Sequence, residues 1–159
     1  MIASQLINIG STKLKKMRIQ SHLLDSELIL SNVLKTSREK MLTTSEKKVS
    51  KNEIDNFNKL LARRLRCEPM AYIFKEKEFW SKSFLIDKNA LIPRPETELL
   101  VEKISKYFKN KKVFILDIGT GSGCILLSLL DEIKNSSGIG IDISKKALDV
   151  AIKNKKKLK

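Results

Sequence analysis

Val113-Phe114-Ile115-Leu116-Asp117-Ile118-Gly119-Thr120-Gly121-Ser122-Gly123 is the stretch whose reading decides the fold. It opens on a run of apolar, β-branched and aromatic residues, which predicts a strand buried on both faces. An acidic residue closes the strand, and glycines follow at alternate positions. Cys124-Ile125-Leu126-Leu127-Ser128-Leu129-Leu130 then has the length and apolar content of a helix packed on a sheet. Strand, glycine turn and helix in this order make a nucleotide-type site. The turn lets a ligand approach the backbone, and the helix N-terminus offers free N–H groups.

The glycine spacing narrows the ligand. A dinucleotide fingerprint would put its third glycine at position 124, where Cys124 stands. A phosphate-loop NTPase needs Gly-Lys-Ser/Thr at the end of the loop, and that is absent. Asp-x-Gly-x-Gly-x-Gly over Asp117, Gly119, Gly121 and Gly123 resembles the pattern that S-adenosylmethionine-dependent methyltransferases carry after their first strand. Asp117 would repel a pyrophosphate but suits a ligand with an ammonium and a sulfonium. A glycine-rich turn in which Asp117 merely satisfies nearby N–H groups has the same pattern, and a glycine triplet alone does not separate the two. Ile139-Gly140-Ile141-Asp142 adds a second apolar run ending in a carboxylate, at the distance where the next strand of a βαβ unit should place an acidic group on ribose hydroxyls. Ser144 then reads as the N-cap of another helix. Together these segments favour the nucleoside-binding half of a Rossmann-like domain.

A chain of 159 residues suffices for one ordinary domain or two small ones. No run approaches the length of a membrane span, and no signal peptide is read before the first helix. Cys67 and Cys124 lie in unrelated contexts, as free thiols in a reducing cytoplasm would. No metal site is read. The formal charge is +14, yet only six of the 32 basic residues are arginine. A dispersed lysine excess is more often a solvated surface than a reading face, although it predicts salt-dependent attraction to RNA or an RNA-associated partner.

The first portion reads as helices: Ile2 to Lys16, interrupted by Gly10; a second capped by Ser21; a short one from Ser37 to Leu42; and a fourth opened by the capping box Ser50-Lys51-Asn52-Glu53 and stopped by Glu68-Pro69. They would form a small bundle ending near Phe74. Arg63-Arg64-Leu65-Arg66 reads as a solvated helix face in preference to a phosphate contact, His22 as a cap or an exposed residue, and Trp80 as hairpin packing. Runs at 78–80 and 84–86 around Ser81-Lys82-Ser83 predict a β-hairpin bridging two domains. Pro95 with Glu96 and Glu98 suits the first turn of a helix. The tail from Lys153 to Lys159 reads as a disordered or frayed end.

Leu91-Ile92-Pro93-Arg94-Pro95-Glu96-Thr97-Glu98, followed by Leu116-Asp117-Ile118-Gly119-Thr120-Gly121-Ser122-Gly123-Cys124-Ile125, resembles the HemK/PrmC family of peptide chain release factor glutamine methyltransferases. Leu24 to Leu30 and the segment from Arg63-Arg64 through Pro69-Met70-Ala71-Tyr72-Ile73 support the resemblance, which covers nearly the whole chain. It departs at Phe74-Lys75, where the family usually has glycine after Tyr-Ile.

The resemblance implies an α plus α/β architecture. Residues 1–74 would be a helical substrate-recognition domain, 75–93 a hairpin linker, and 94–159 the N-terminal part of a Rossmann-like methyltransferase domain, incomplete here. It implies S-adenosylmethionine as cofactor, a release factor as protein substrate, a cytoplasmic setting and no membrane. Asp117, Gly119, Thr120, Gly121 and Gly123 would shape the methionine side of the cofactor pocket, and Asp142 would take the ribose. Arg94, Pro95, Glu96 and Thr97 would line the cleft.

The family's later Asn-Pro-Pro-Tyr motif, implied to hold the glutamine amide, does not occur in positions 1–159. No catalytic residue is therefore assigned, and the 159 residues alone are expected to be inactive. Two other readings stand beside this one: a non-catalytic module contacting a release factor or ribosome, and part of a methyltransferase acting on tRNA or another nucleic acid.

Overall fold

The amphipathic pattern of the first portion produces helices that close on one another. In a computed structural model describing residues 1–43 and 46–158, the chain falls into two compact units, Met1–Phe74 and Lys75–Lys159. The first contains α1 (Ala3–Lys16), α2 (His22–Val33), α3 (Arg38–Thr43), α4 (Lys51–Leu65) and α5 (Met70–Phe74). Leu6, Leu14, Ile29, Leu30, Met41, Phe57 and Leu61 form its core.

The expected interruption at Gly10 does not occur; α1 runs through it. Gly10 is buried where α1 meets two other helices. A Cβ there would lie 2.4 Å from Ser26 Oγ and 2.7 Å from the Phe57 ring. The glycine therefore permits close helix packing, and that packing overrides its low helix propensity. Ser26, whose hydroxyl donates to the Ile7 carbonyl at 2.8 Å, fixes the same crossing.

Helix ends follow local chemistry in part. The capping box forms as read: Glu53 N–H donates to Ser50 Oγ, and Ser50 N–H donates to the Glu53 carboxylate. Ser37 accepts from Lys40 N–H, so α3 begins one residue later than expected. Ser21 sits at the N-cap of α2 but makes no capping bond; its hydroxyl donates instead to Asp25 at 2.8 Å. His22 shares a 2.9 Å hydrogen bond with Ser11.

Arg63 and Arg64 do not form a solvated face. Arg63 pairs with Glu68 and donates to the Tyr72 and Ile73 carbonyls, which fastens α5 to the end of α4. Arg64 donates to Asp25 at 2.7 Å and to the Glu68 carbonyl. A guanidinium's fork of donors suits it to gathering several oxygens at once.

The second unit begins with an antiparallel hairpin, β1 (Glu76–Phe79) and β2 (Lys82–Leu85). Its turn is Trp80-Ser81, not Ser81-Lys82-Ser83. Both turn residues have positive φ (51° and 54°), as a two-residue type I′ turn requires. That register puts Phe79 and Phe84 on one face, buried and edge-on, with ring centroids 6.1 Å apart.

The hairpin was expected as a linker, but it clusters within the second unit. It straps three helices: α6 (Glu98–Tyr107), α7 (Cys124–Glu132) and α8 (Lys145–Lys157). Trp80 N–H donates to Glu98, Trp80 Nε1 to Glu132, Lys82 Nζ to Asp131, and Leu85 exchanges hydrogen bonds with Asn154 of α8. Pro95–Thr97 makes a single 3₁₀ turn that leads into α6.

The central strand, β3 (Phe114–Ile118), pairs in parallel with β4 (Ser137–Ile141). It is not buried on both faces. Helix α7 packs on one side of the pair, where Gly138 and Gly140 allow Leu126 and Thr120 to approach. On the other side Phe114, Leu116, Ile118, Ile139 and Ile141 are exposed, because no described element covers them. The lysine-rich tail is not frayed, since α8 continues through Lys157. Ala147, Val150 and Asn154 hold it by their burial. Lys159, the last residue of that expected tail, lies outside the described residues.

Candidate functional site: a glycine turn between two strand ends

At the end of β3 the chain reverses through Gly119, Gly121 and Gly123, whose φ angles are +78°, +57° and +79°. Side-chain-bearing residues avoid that region, which explains the glycine triplet physically. The turn is anchored to the end of β4: the N–H groups of Gly119 and Thr120 both donate to the Ile141 carbonyl, at 2.8 and 2.9 Å. Gly123 N–H donates to the Thr120 carbonyl at 2.8 Å and starts α7.

Both acidic residues flank this turn. Asp117 accepts from Thr120 Oγ1 at 2.8 Å. Asp142 accepts from Gly121 N–H and from Ser144 N–H, each at 2.9 Å. Those two N–H groups, Ser144 first and Gly121 second, hold the Asp142 carboxyl below its ordinary range. Its contribution to holding the turn is therefore present above the usual carboxylate range and lost as pH falls through the depressed value. Ser144 caps α8 as read, accepting from Ala147 N–H at 3.2 Å.

Asp117, Gly119, Thr120, Gly121, Gly123 and Asp142 thus converge at the C-terminal ends of two parallel strands. Their surroundings differ. A Cβ on Gly119 would meet nothing within 4 Å, and one on Gly121 only the Gly119 carbonyl at 3.9 Å. These two present open backbone to a ligand. Gly123 packs instead on Ala151 and Leu127, and Thr120 is buried.

The Arg94–Thr97 stretch is not joined to the turn by any hydrogen bond among the described residues. Pro93, Pro95 and Glu98 line, with Lys77, Glu78 and Phe79, a cavity of about 270 Å³ beside the hairpin. A larger cavity of about 360 Å³ lies between α7, α8 and β4. Leu126, Leu127, Leu130, Leu148 and Ile152 supply much of its wall, a poor match for an ammonium and ribose hydroxyls. The exposed strand-end turn is the better cofactor candidate. Cys124 is buried, and that burial raises its thiol pKa, which disfavours the reactive thiolate.

Sequence reasoning missed Asn154. Its amide donates to the Ser122 carbonyl inside the turn at 2.9 Å, although it lay in the stretch read as frayed. One signal was available: Ala147, Val150, Ala151 and Asn154 share one helical stripe, which places a polar residue on the packed face.

Comparisons with known proteins agree with this layout. Residues 5–74 match the PrmC N-terminal domain, and residues 109–159 match a methyltransferase domain. A release factor glutamine methyltransferase from Buchnera aphidicola subsp. Baizongia pistaciae is 43% identical over 154 residues, covering 96% of this chain and 55% of the relative. One from Aliivibrio fischeri is 42% identical over 132 residues, covering 83% and 46%. A bifunctional methyltransferase from Rickettsia conorii is 35% identical over 175 residues, covering 94% and 33%. No described helix is long and apolar enough to cross a membrane. The chain spans about half the length of the release factor glutamine methyltransferases it matches. With a match to the PrmC N-terminal domain followed by a match to a methyltransferase domain, the chain is similar to release factor glutamine methyltransferases over nearly its whole length.

Proposed function

We propose that this chain supplies the cofactor-holding part of an S-adenosylmethionine-dependent methyltransferase that modifies a glutamine side-chain amide of a peptide chain release factor. One observation carries the reading: backbone open at Gly119 and Gly121 lies between the carboxylates of Asp117 and Asp142. When bound, the cofactor supplies an electrophilic methyl on a positively charged sulfur. Asp117 is the acceptor offered to its ammonium. Asp142 retains lone pairs for ribose hydroxyls beyond those used by Gly121 and Ser144. The helical unit is the part offered to the release factor, and the lysine excess adds a salt-dependent attraction to ribosomal RNA.

An amide nitrogen is a weak nucleophile because its lone pair is delocalised into the carbonyl. Transfer needs the nitrogen held in line with the methyl and its N–H groups drawn by acceptors. Residues 1–159 contain no Asn-Pro-Pro-Tyr run. We assign the amide-holding role to residues outside these 159, so the chain alone should bind cofactor without transferring the methyl.

Calorimetric titration with S-adenosylmethionine tests this reading. Asp142→Ala should weaken binding about ten- to a hundredfold, as hydrogen bonds to a charged carboxylate imply. Unchanged affinity would remove Asp142 from the site, and no binding by the unmodified chain would overturn the cofactor reading. Methylation of an unmodified release factor by the 159 residues alone would show that the amide acceptors lie within them.

A further inference from the structure

Asn154 stands apart from the lysines around it. It is fully buried, and its side-chain amide uses all of its hydrogen-bonding directions that the fold presents. Leu85 N–H donates to Asn154 Oδ1 at 2.6 Å, and Asn154 Nδ2 donates back to the Leu85 carbonyl at 3.0 Å. The remaining Nδ2 proton goes to the Ser122 carbonyl at 2.9 Å. The two carbonyls fix which end of the amide is nitrogen, and the Leu85 N–H fixes which end is oxygen.

We propose that Asn154 is a positioning residue that locks the glycine turn to the hairpin. In effect its amide acts as one extra peptide unit on the edge of β2. Its spare N–H reaches Ser122, the residue between the two later glycines of the turn. The conformation of Gly121 and Gly123, both at positive φ, thereby depends on a side chain of α8, beyond α7 and β4 in sequence. The hairpin in turn grips Glu98, Asp131 and Glu132. The backbone offered to the ligand is thus held in one frame with the start of α6.

Few other side chains could serve. Aspartate has the right length but, when ionised, sets a carboxylate against two carbonyl oxygens. Glutamine is one methylene longer, which moves its amide off all three partners. Leucine keeps the volume and takes the amide partner from the buried Ser122 carbonyl and from the half-buried Leu85 carbonyl and N–H.

The inference rests on the cofactor reading only for its consequence, so the test has two arms. The first needs no ligand. Amide exchange of the 159-residue chain is compared for Asn154, Asn154→Leu and Asn154→Asp. Both variants should lose protection about tenfold or more at Leu85, Gly121 and Gly123 at neutral pH, while α1, α2 and α4 keep theirs. In Asn154→Asp, corrected for intrinsic exchange, part of that protection should return as the carboxyl protonates and regains one donor. Asn154→Leu should show no such pH dependence. Unchanged exchange at the turn, or equal loss throughout the second unit, would overturn the proposal.

The second arm titrates S-adenosylmethionine. A weakening of about tenfold in Asn154→Leu supports control of the ligand site through the turn. Unchanged affinity beside a loosened turn would show that the lock does not govern binding, and would overturn that control. If the unmodified chain binds nothing, the cofactor reading falls while the exchange arm still decides the lock.

Discussion

Phe57→Ala should remove about 3–5 kcal/mol from the stability of the helical unit, the usual cost of emptying a core ring site. The ring is fully buried and faces Gly10 across the α1–α4 contact. Total stability runs at about 0.05–0.15 kcal/mol per residue, so a unit of this size has roughly 4–11 kcal/mol. At the low end of that range the substitution should unfold the unit, and at the high end it should remove about a quarter to a half of its stability. Urea unfolding followed by the amide resonances of α1, α2 and α4 would measure the loss. Tryptophan fluorescence would not, because Trp80 belongs to the other unit. A loss below about 1 kcal/mol would mean that the neighbouring side chains collapse into the space.

Gly10→Ala gives the complementary result. Helix propensity favours alanine by about 1 kcal/mol. Overpacking against Ser26 and the Phe57 ring opposes it by about 1–3 kcal/mol. In the Phe57→Ala background one of those two neighbours is gone. The combined variant should then be less destabilised than the sum of the single changes.

Arg64→Met is the second large effect, at about 3–5 kcal/mol in the same unit. The Asp25 side chain is 5% exposed and that of Arg64 17%, so removing the guanidinium leaves a carboxylate with little water around it. Ser21 Oγ would be its remaining side-chain donor among the described bonds. Replacing both partners, as Asp25→Leu with Arg64→Met, should recover most of the loss, because no buried charge then remains. The exposed pair Lys106–Glu102 provides the contrast: Lys106→Met should change stability by less than about 0.5 kcal/mol. Urea midpoints of these variants, compared at equal m-value, would decide it. A small effect of Arg64→Met alone would show that water reaches Asp25.

Local rules carried the reading where one residue and its near neighbours set the outcome. Ser50 with Glu53, Ser144 with Ala147, and the three left-handed glycines belong there. So does the family resemblance, which rests on contiguous runs such as Leu91 to Glu98.

The readings that failed depended on distant partners. Gly10 looked like a break because the Phe57 ring that makes it useful lies three helices further along the chain. Arg64 looked solvated because Asp25 belongs to another helix. Asn154 vanished into a lysine run because its partners, Leu85 and Ser122, lie on a strand and a turn. Trp80-Ser81 escaped because neither is a residue that favours positive φ, and only the pairing of Phe79 with Lys82 dictates it. The hairpin's grip on α6, α7 and α8 was not legible either, because it is made by side chains with no sequence spacing of their own.

The bare face of the β3–β4 pair has a colloidal consequence. Copies of a chain with net charge +14 repel one another at low ionic strength, where the field reaches far beyond the surface. At about 0.15 M salt the screening length shrinks to about 8 Å, little more than the thickness of a side chain. Repulsion then no longer holds Phe114, Leu116, Ile118, Ile139 and Ile141 of one copy away from those of another. Salt should therefore lower the solubility of these 159 residues taken alone, their lysines acting as a dispersant for the strands they do not touch.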